Sequence, residues 1–212
     1  MDIHAPHRPI GSVREALVHL ALITGGVLIA LSFEGVATWR EHRALVREAR
    51  TNLTSEIRDN TRELRERLQN VPQHRKQLEH AGDMARLVIE HKKIEHGSVE
   101  LGFSSAELRD ASRTTAEVTG AFALMEYEEV KKYASVYNHQ ALYLRFHNDV
   151  VQGVTRLLGG AGMFADADRY TVREIEDWQT QLRTVVAALF VEEQIGQSLL
   201  KEYEDLLKGG QQ

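Results

Sequence analysis

Apolar residues change their spacing along the chain, and each spacing predicts an element. Residues 16–33, ALVHLALITGGVLIALSF, form a continuous apolar run with no formal charge and one histidine. From there the apolar positions thin to a seam, Val46, Ala49, Leu53, Ile57, Leu64 and Leu68, which steps over Asn60. Steps of three and four mark one face of an α-helix, here continuous with the apolar run. Asn60 falls on the seam, where a polar residue fixes helix register, unless the helix simply exposes it. At Asn70-Val-Pro72 the pattern is interrupted: either a second helix starts at the proline and runs to about residue 94 through Leu78, Ala81, Ala85 and Val88, or one longer helix kinks there.

A glycine-bearing stretch over residues 96–103 predicts a long turn, and Ser104-x-x-Glu107 and Thr114-x-x-Glu117 read as capping boxes opening short helices. A long helix follows over about residues 127–158, with Val130, Tyr137, Ala141, Leu144, Val151, Val154 and Leu158 inward. Gly159-Gly-Ala-Gly162 stops it. Thr171-x-x-Glu174 opens the last helix, whose stripe is Ile175, Trp178, Leu182, Val185, Leu189, Leu199, Tyr203 and Leu206, ended by Gly209-Gly210. No strand pattern of useful length and no repeat is present. The expected fold is all-α: an N-terminal transmembrane helix continuing into a long helix, packed with further helices as an antiparallel bundle. The domain reading is a tail over 1–13, the span over 14–38, the bundle over 39–208 and a tail over 209–212.

The apolar run is long enough for a bilayer, whose core takes roughly 20 helical residues. Ser12-x-x-Glu15 caps its start, while Trp39, Arg40 and Arg43 follow at interfacial depth. Two rivals are a buried core helix, which is usually shorter, and a cleaved signal with Ala30-x-Ser32 as its small-residue site. Helical patterning that continues through Trp39 favours an uncleaved anchor. Arg8 and Arg14 on one side oppose Arg40, Arg43, Arg47 and Arg50 on the other, a count that leans toward a cytoplasmic domain and leaves the side open. Gly26, Ala30 and Ala37, with His19, share one heptad-spaced stripe; small residues let helices approach closely in lipid, so this is the expected association face. Glu34 reads first as an interfacial carboxylate in water, and second as a polar contact between partner helices.

Charge changes this picture little. The formal net charge is −5, from 26 basic and 31 acidic residues, which gives no pull toward nucleic acid. Residues 40–69 hold eight arginines and six acids and read as a solvated face; residues 171–212 are the acidic flank. The chain has no cysteine, so disulfides and thiolate metal sites are excluded.

Three of these blocks carry a resemblance. Gly26-Val-Leu-Ile-Ala-Leu31, Trp39-Arg-Glu-His-Arg43 and Glu56-Ile57…Asn60 resemble an uncharacterised family of bacterial inner-membrane proteins with one N-terminal span. Residues 114–125, TTAEVTGAFALM, leading into Tyr127, Tyr133 and Tyr137, extend the likeness to roughly residues 14–145. It implies an anchored helical protein in a bacterial inner membrane; it implies no activity and no site residues.

Candidate chemistry is sparse. Ten histidines include no His-Glu-x-x-His and no Glu-x-x-His. His91 and His96, with Glu90 and Glu95, have a spacing that splays helical side chains apart. His4 and His7 lie in the N-terminal tail, and His139 and His147 near the seam of the long helix suit hydrogen-bonded core positions. Asp166-x-Asp168 lacks the glycine and closing glutamate of a calcium loop and reads as a helix cap. No phosphate-binding loop or nucleophile elbow occurs. The expectation is no enzyme, no metal and no cofactor. Thr115, Thr119, Gly120, Tyr133 and Tyr137 mark a junction with two readings, a tight corner between helices or a small-ligand pocket. The leading functional expectation is an anchored scaffold or interaction module that self-associates, with the bilayer, further copies and an unidentified protein as partners and no nucleic acid. The alternative is an anchored helical sensory domain binding a small ligand near residues 114–137.

Overall fold

In a computed structural model, residues 13–90, 99, 101–102 and 105–209 are described, without the side chain of Glu15. Among them are four α-helices and no strand: α1 (Val13–Ile89), α2 (Ala111–Val118), α3 (Tyr127–Gly160) and α4 (Val172–Gly209). Short 3-10 turns occupy Ala121–Leu124, Ala161–Phe164 and Ala167–Arg169. The chain divides into two compact units, Met1–Glu48 and Ala49–Gln212.

The first unit is described from residue 13 onward, where it is wholly α1. Its apolar window has a mean hydropathy of 2.2, and none of it is buried. Leu17, Leu22, Ile29 and Phe33 are all more than half exposed. This helix is long and apolar enough to cross a membrane. Beyond the window, the Arg43 guanidinium lies 4.7 Å from the centre of the Trp39 ring.

The second unit is a bundle of α1 from Ala49, α3 and α4. Contacts such as Arg50–Glu129, Glu56–Tyr137 and Asn60–Gln140 ascend together, so α1 and α3 run parallel. Arg65–Glu204 and Arg75–Glu193 descend on α4, as do His139–Glu202 and Trp178–Leu157, so α4 is antiparallel to both. Described residues 105–126 belong to the crossover that a parallel pair needs. The apolar core lies toward the C-terminal end of α1: Val71, Leu78 and Ala85 meet Val150 and Leu157 of α3 and Ile175, Trp178 and Leu182 of α4. Phe164 sets its ring edge-on to Trp178 at 5.3 Å and helps to close that end.

Gly153 lets α3 and α4 approach, since a Cβ there would lie 2.5 Å from Val185 Cγ2. At α4's start, the Glu174 carboxylate accepts the Thr171 N–H at 2.7 Å and the Glu174 N–H meets the Thr171 hydroxyl at 3.3 Å. This is the expected capping box, and the Thr171 N–H and the Thr171 hydroxyl, which both donate to the carboxylate, hold the Glu174 carboxyl below its ordinary range.

Of the two readings at Pro72 the single longer helix holds: α1 runs through the proline, which is exposed, and this keeps the lost hydrogen bond off the packed seam. Three local expectations need correction. Residues 105–110 are irregular, so no helix opens with a Ser104–Glu107 box. Thr114 is inside α2, where its hydroxyl donates back to the Asp110 carbonyl at 3.1 Å. On α3 the inward stripe is displaced from the expected one: Ala141 and Leu158 are exposed, while Tyr133, Val136, Gln140, Tyr143, His147, Val150 and Leu157 are buried. The apolar pattern missed it because two members, Gln140 and His147, are polar. The Ser12 cap, the histidines at 4, 7, 91 and 96, Ser104 and Gly210 lie outside the described residues.

Candidate functional site

All three bundle helices keep an unbroken three-four spacing of buried positions. On α1 it runs through Leu53, Ile57, Asn60, Leu64, Arg67, Val71, His74 and Leu78; on α4 through Trp178, Leu182, Val185, Leu189, Glu192, Gly196, Leu199 and Tyr203. The polar members are themselves seven residues apart: Asn60, Arg67 and His74 on α1, Gln140 and His147 on α3. Successive heptads stack such positions along one line of the helix, so the seams place a polar column inside the bundle.

One layer of the column grips the crossover. Asn60 Nδ2 donates to the Arg109 carbonyl at 2.7 Å, and Asn60 Oδ1 accepts the Arg109 N–H at 2.9 Å. Gln140 Nε2 donates to the same carbonyl at 3.0 Å, and the Tyr203 hydroxyl donates to Gln140 Oε1 at 2.6 Å. One turn earlier on α1, Glu56 accepts the Ser112 N–H at 2.8 Å and the Tyr137 hydroxyl at 2.6 Å. Asp110 makes no side-chain cap for α2. A carboxylate from another helix therefore meets one of α2's open N–H groups. Burial first, and then the Glu56 carboxylate, push the Tyr137 hydroxyl far up.

The next layer is charged. Arg67 and Glu192, almost completely buried, pair at 3.1 Å. His147 Nε2 accepts the Ala106 N–H at 3.2 Å and lies 3.3 Å from Ser105 Oγ. An accepting Nε2 places the ring proton on Nδ1, which donates to Glu192 Oε1 at 2.8 Å. The Tyr143 hydroxyl donates to the same oxygen at 3.2 Å, and its ring stacks on His147 at 5.9 Å. Burial, followed by Glu192, drives the Tyr143 hydroxyl up. Arg67 Nη1 also donates to His74 Nδ1 at 2.8 Å. Burial, with Arg67 second, holds His74 below its ordinary value, so this ring stays neutral. Beside it is a cavity of about 10 Å³ lined by Gln77, Leu101 and Val150, room for one water and no substrate.

The column thus ends in the strap of residues 105–112, held at every third position: Ala106 by His147, Arg109 by Asn60 and Gln140, Ser112 by Glu56. Chemically it is a set of donors and acceptors that answer one another across the helices, buried at Arg67 and Glu192 and half-buried at the strap. Arg67 and Glu192 meet as opposite charges, Glu56 is met by neutral donors and the hydroxyls are held protonated, an arrangement that fastens segments and fixes register.

The residues singled out from the sequence fall in two places. Gly26, Ala30 and Ala37 lie exposed on the first unit's helix, and a Cβ on Gly26 would meet nothing within 4 Å. At the other place Gly120 adopts φ +75°, the left-handed turn expected of it. Thr115 and Thr119 donate their hydroxyls to carbonyls one turn back in their own helix, at 2.8 Å each. Tyr137 is buried on Glu56, while Tyr133 packs with Phe122 at 6.3 Å between ring centres. Tyr133 also lines, with Val136, Glu202, Asp205 and Leu206, an open groove of about 460 Å³ between α3 and α4. The threonines, the glycine and Tyr137 do not line that groove. His147 is the buried, hydrogen-bonded residue expected; His139 is half-buried on Glu202 at 2.9 Å.

Arg67, Glu192, His74 and Gln140 were not anticipated. The signal that finds Arg67, His74 and Gln140 is the seven-residue recurrence of polar residues within an apolar seam; Glu192 stands alone on its seam and has no such signal. Comparison with protein-family models, with curated proteins and with solved structures finds no match to this chain.

Proposed function

We propose that the protein is a membrane-anchored helical scaffold or interaction module, single-pass in a bacterial inner membrane, that self-associates and takes a further protein as partner. One observation carries the reading: an 18-residue helical window of mean hydropathy 2.2 has none of its surface covered, while the bundle has its own closed core. Apolar surface of that extent is stable against lipid and costly against water. Gly26, Ala30 and Ala37 supply the close-approach face within the span. A non-enzymatic role fits because the buried polar groups serve one another and the strap. The resemblance of the apolar and arginine blocks to bacterial single-span proteins supports the same placement.

Alkaline carbonate extraction of membranes from cells expressing the chain, with a reporter fused at its C-terminus, tests this. Retention in the pellet and a single compartment for the reporter are expected; release into the supernatant would remove the anchor. The second reading, a ligand-sensing bundle, is favoured by the groove that Tyr133 and Val136 line. A metabolite screen by thermal shift, with Tyr133→Ala as the control, separates the two.

A further inference from the structure

Two buried histidines share one network and face opposite charges. At His74 the Arg67 guanidinium lies 2.8 Å from Nδ1, setting a cation against any further proton on that ring. At His147 it is the Glu192 carboxylate that lies 2.8 Å from Nδ1. Other groups reach His147 from each element around it. From α1 comes Arg67, paired with Glu192 at 3.1 Å and carrying His74 on its far side. From α3 comes Tyr143, which stacks on the ring and donates to the same Glu192 oxygen. The crossover brings the Ser105 hydroxyl and the Ala106 N–H. A second proton on His147 would be opposed by Arg67 and balanced by Glu192, and only Glu192 touches the ring's Nδ1.

The other nitrogen of His147 holds the strap. Nε2 accepts the Ala106 N–H at 3.2 Å, which it can do only while it carries no proton. With a proton on each ring nitrogen, Nε2 and the Ala106 N–H would stand donor against donor. Nε2 would then turn its proton to the Ser105 hydroxyl, 3.3 Å away, and Ala106 would lose its acceptor. Three residues on, the strap is held differently. Arg109 is bonded by the side-chain amides of Asn60 and Gln140, neither of which titrates. Ala106 and Leu108, between or beside these attachments, are buried apolar side chains. Acid therefore acts on one end of the strap and leaves the amide clasp at Arg109 intact.

We propose that His147 is an acid-operated latch: a solvent proton taken up at Nε2 frees the Ala106 end of the strap, which opens about a hinge at Arg109 and exposes Ala106 and Leu108. Glu192, through the Nδ1 proton, meets the charge that the ring gains. The latch depends on neither the anchor nor self-association, and its failure would leave both readings standing.

Amide hydrogen exchange of the full chain in mild detergent, resolved to single residues and scaled for the pH dependence of free amides, tests the latch. Between about pH 7.5 and about pH 5.5, the range in which histidines change charge, exchange at Ala106 should rise about tenfold. Exchange at Arg109 should change less than about twofold. His147→Gln, whose amide oxygen accepts a hydrogen bond but takes up no proton, should keep Ala106 protected at both pH values. His147→Ala, with no acceptor, should leave Ala106 fast at both. His74→Gln should retain the full rise, which separates the two rings. Exchange at Ala106 that stays flat in the unsubstituted chain, or a rise that persists in His147→Gln or disappears in His74→Gln, would overturn the latch. So would Arg109 opening together with Ala106, the mark of general loosening. If circular dichroism shows that the His147 variants do not fold, nitrogen NMR of the imidazole rings in the unsubstituted chain decides. Protonation of the His147 Nε2 over the range in which Ala106 opens supports the latch, and a ring that stays singly protonated overturns it.

Discussion

The side-chain amide of Asn60 closes on both polar faces of one peptide, accepting the Arg109 N–H at 2.9 Å and donating to the Arg109 carbonyl at 2.7 Å. A segment without helical hydrogen bonds of its own thus finds them on a helix 49 residues away in sequence. Asn60→Ala leaves the Arg109 N–H without this partner and its carbonyl to Gln140 alone, in a half-buried site, and is expected to cost about 1–3 kcal/mol. Urea melts read the loss. Limited proteolysis of the variant should cut first within residues 105–110, and a wild-type cleavage pattern would mean that the clasp does not hold the strap.

The Arg67–Glu192 pair responds unequally to single and double replacement. Arg67→Met strands a buried carboxylate and should destabilise by about 3–5 kcal/mol, whereas Arg67→Met with Glu192→Leu should recover most of that. A double-mutant cycle on thermal midpoints decides it; a double variant no better than the single one would show that His147, Tyr143 and His74 depend on the charges themselves.

His74 ties stability to pH. Its folded form is held neutral below the ordinary histidine value by burial and by Arg67. As pH falls through about 6.5, the unfolded chain takes up a proton that the folded ring resists, so unfolding gains and stability declines. The contribution is present above that range and lost on acidification. Urea midpoints between pH 8 and pH 5 should fall, and His74→Gln should flatten the part of the slope this ring supplies.

Helix approach at Gly153 is the third packing test. A Cβ at 2.5 Å from Val185 Cγ2 cannot be accommodated without moving α4, so Gly153→Ala should cost about 1–3 kcal/mol. Val185→Ala in the same chain should return part of it, measured as a rise in thermal midpoint over Gly153→Ala alone.

The helical class, the capping box at Thr171 and the α4 stripe were all legible in the sequence, because each rests on spacing and local chemistry. The register of α3 was not. Its stripe passes through Gln140 and His147, and a search for apolar periodicity steps aside to Ala141 and Leu144 instead. Pro72 left two readings open for the opposite reason: it breaks helices that lack support, and here packing by Val71, Leu78 and Ala81 carries one helix through. The column itself shows only once helices are paired, since neither Arg67 nor Glu192 signals burial until the 125 residues between them are folded back.

That separation has a meaning during synthesis. At roughly 5–20 residues per second a ribosome takes some 6–25 s to add the 125 residues from Arg67 to its mate, and meanwhile the seam of α1 waits without its α4 partner. An all-leucine seam would be sticky through that interval. One carrying Asn60, Arg67 and His74 in consecutive heptads stays hydrated, and becomes a good interior only when Gln140, His147 and Glu192 arrive.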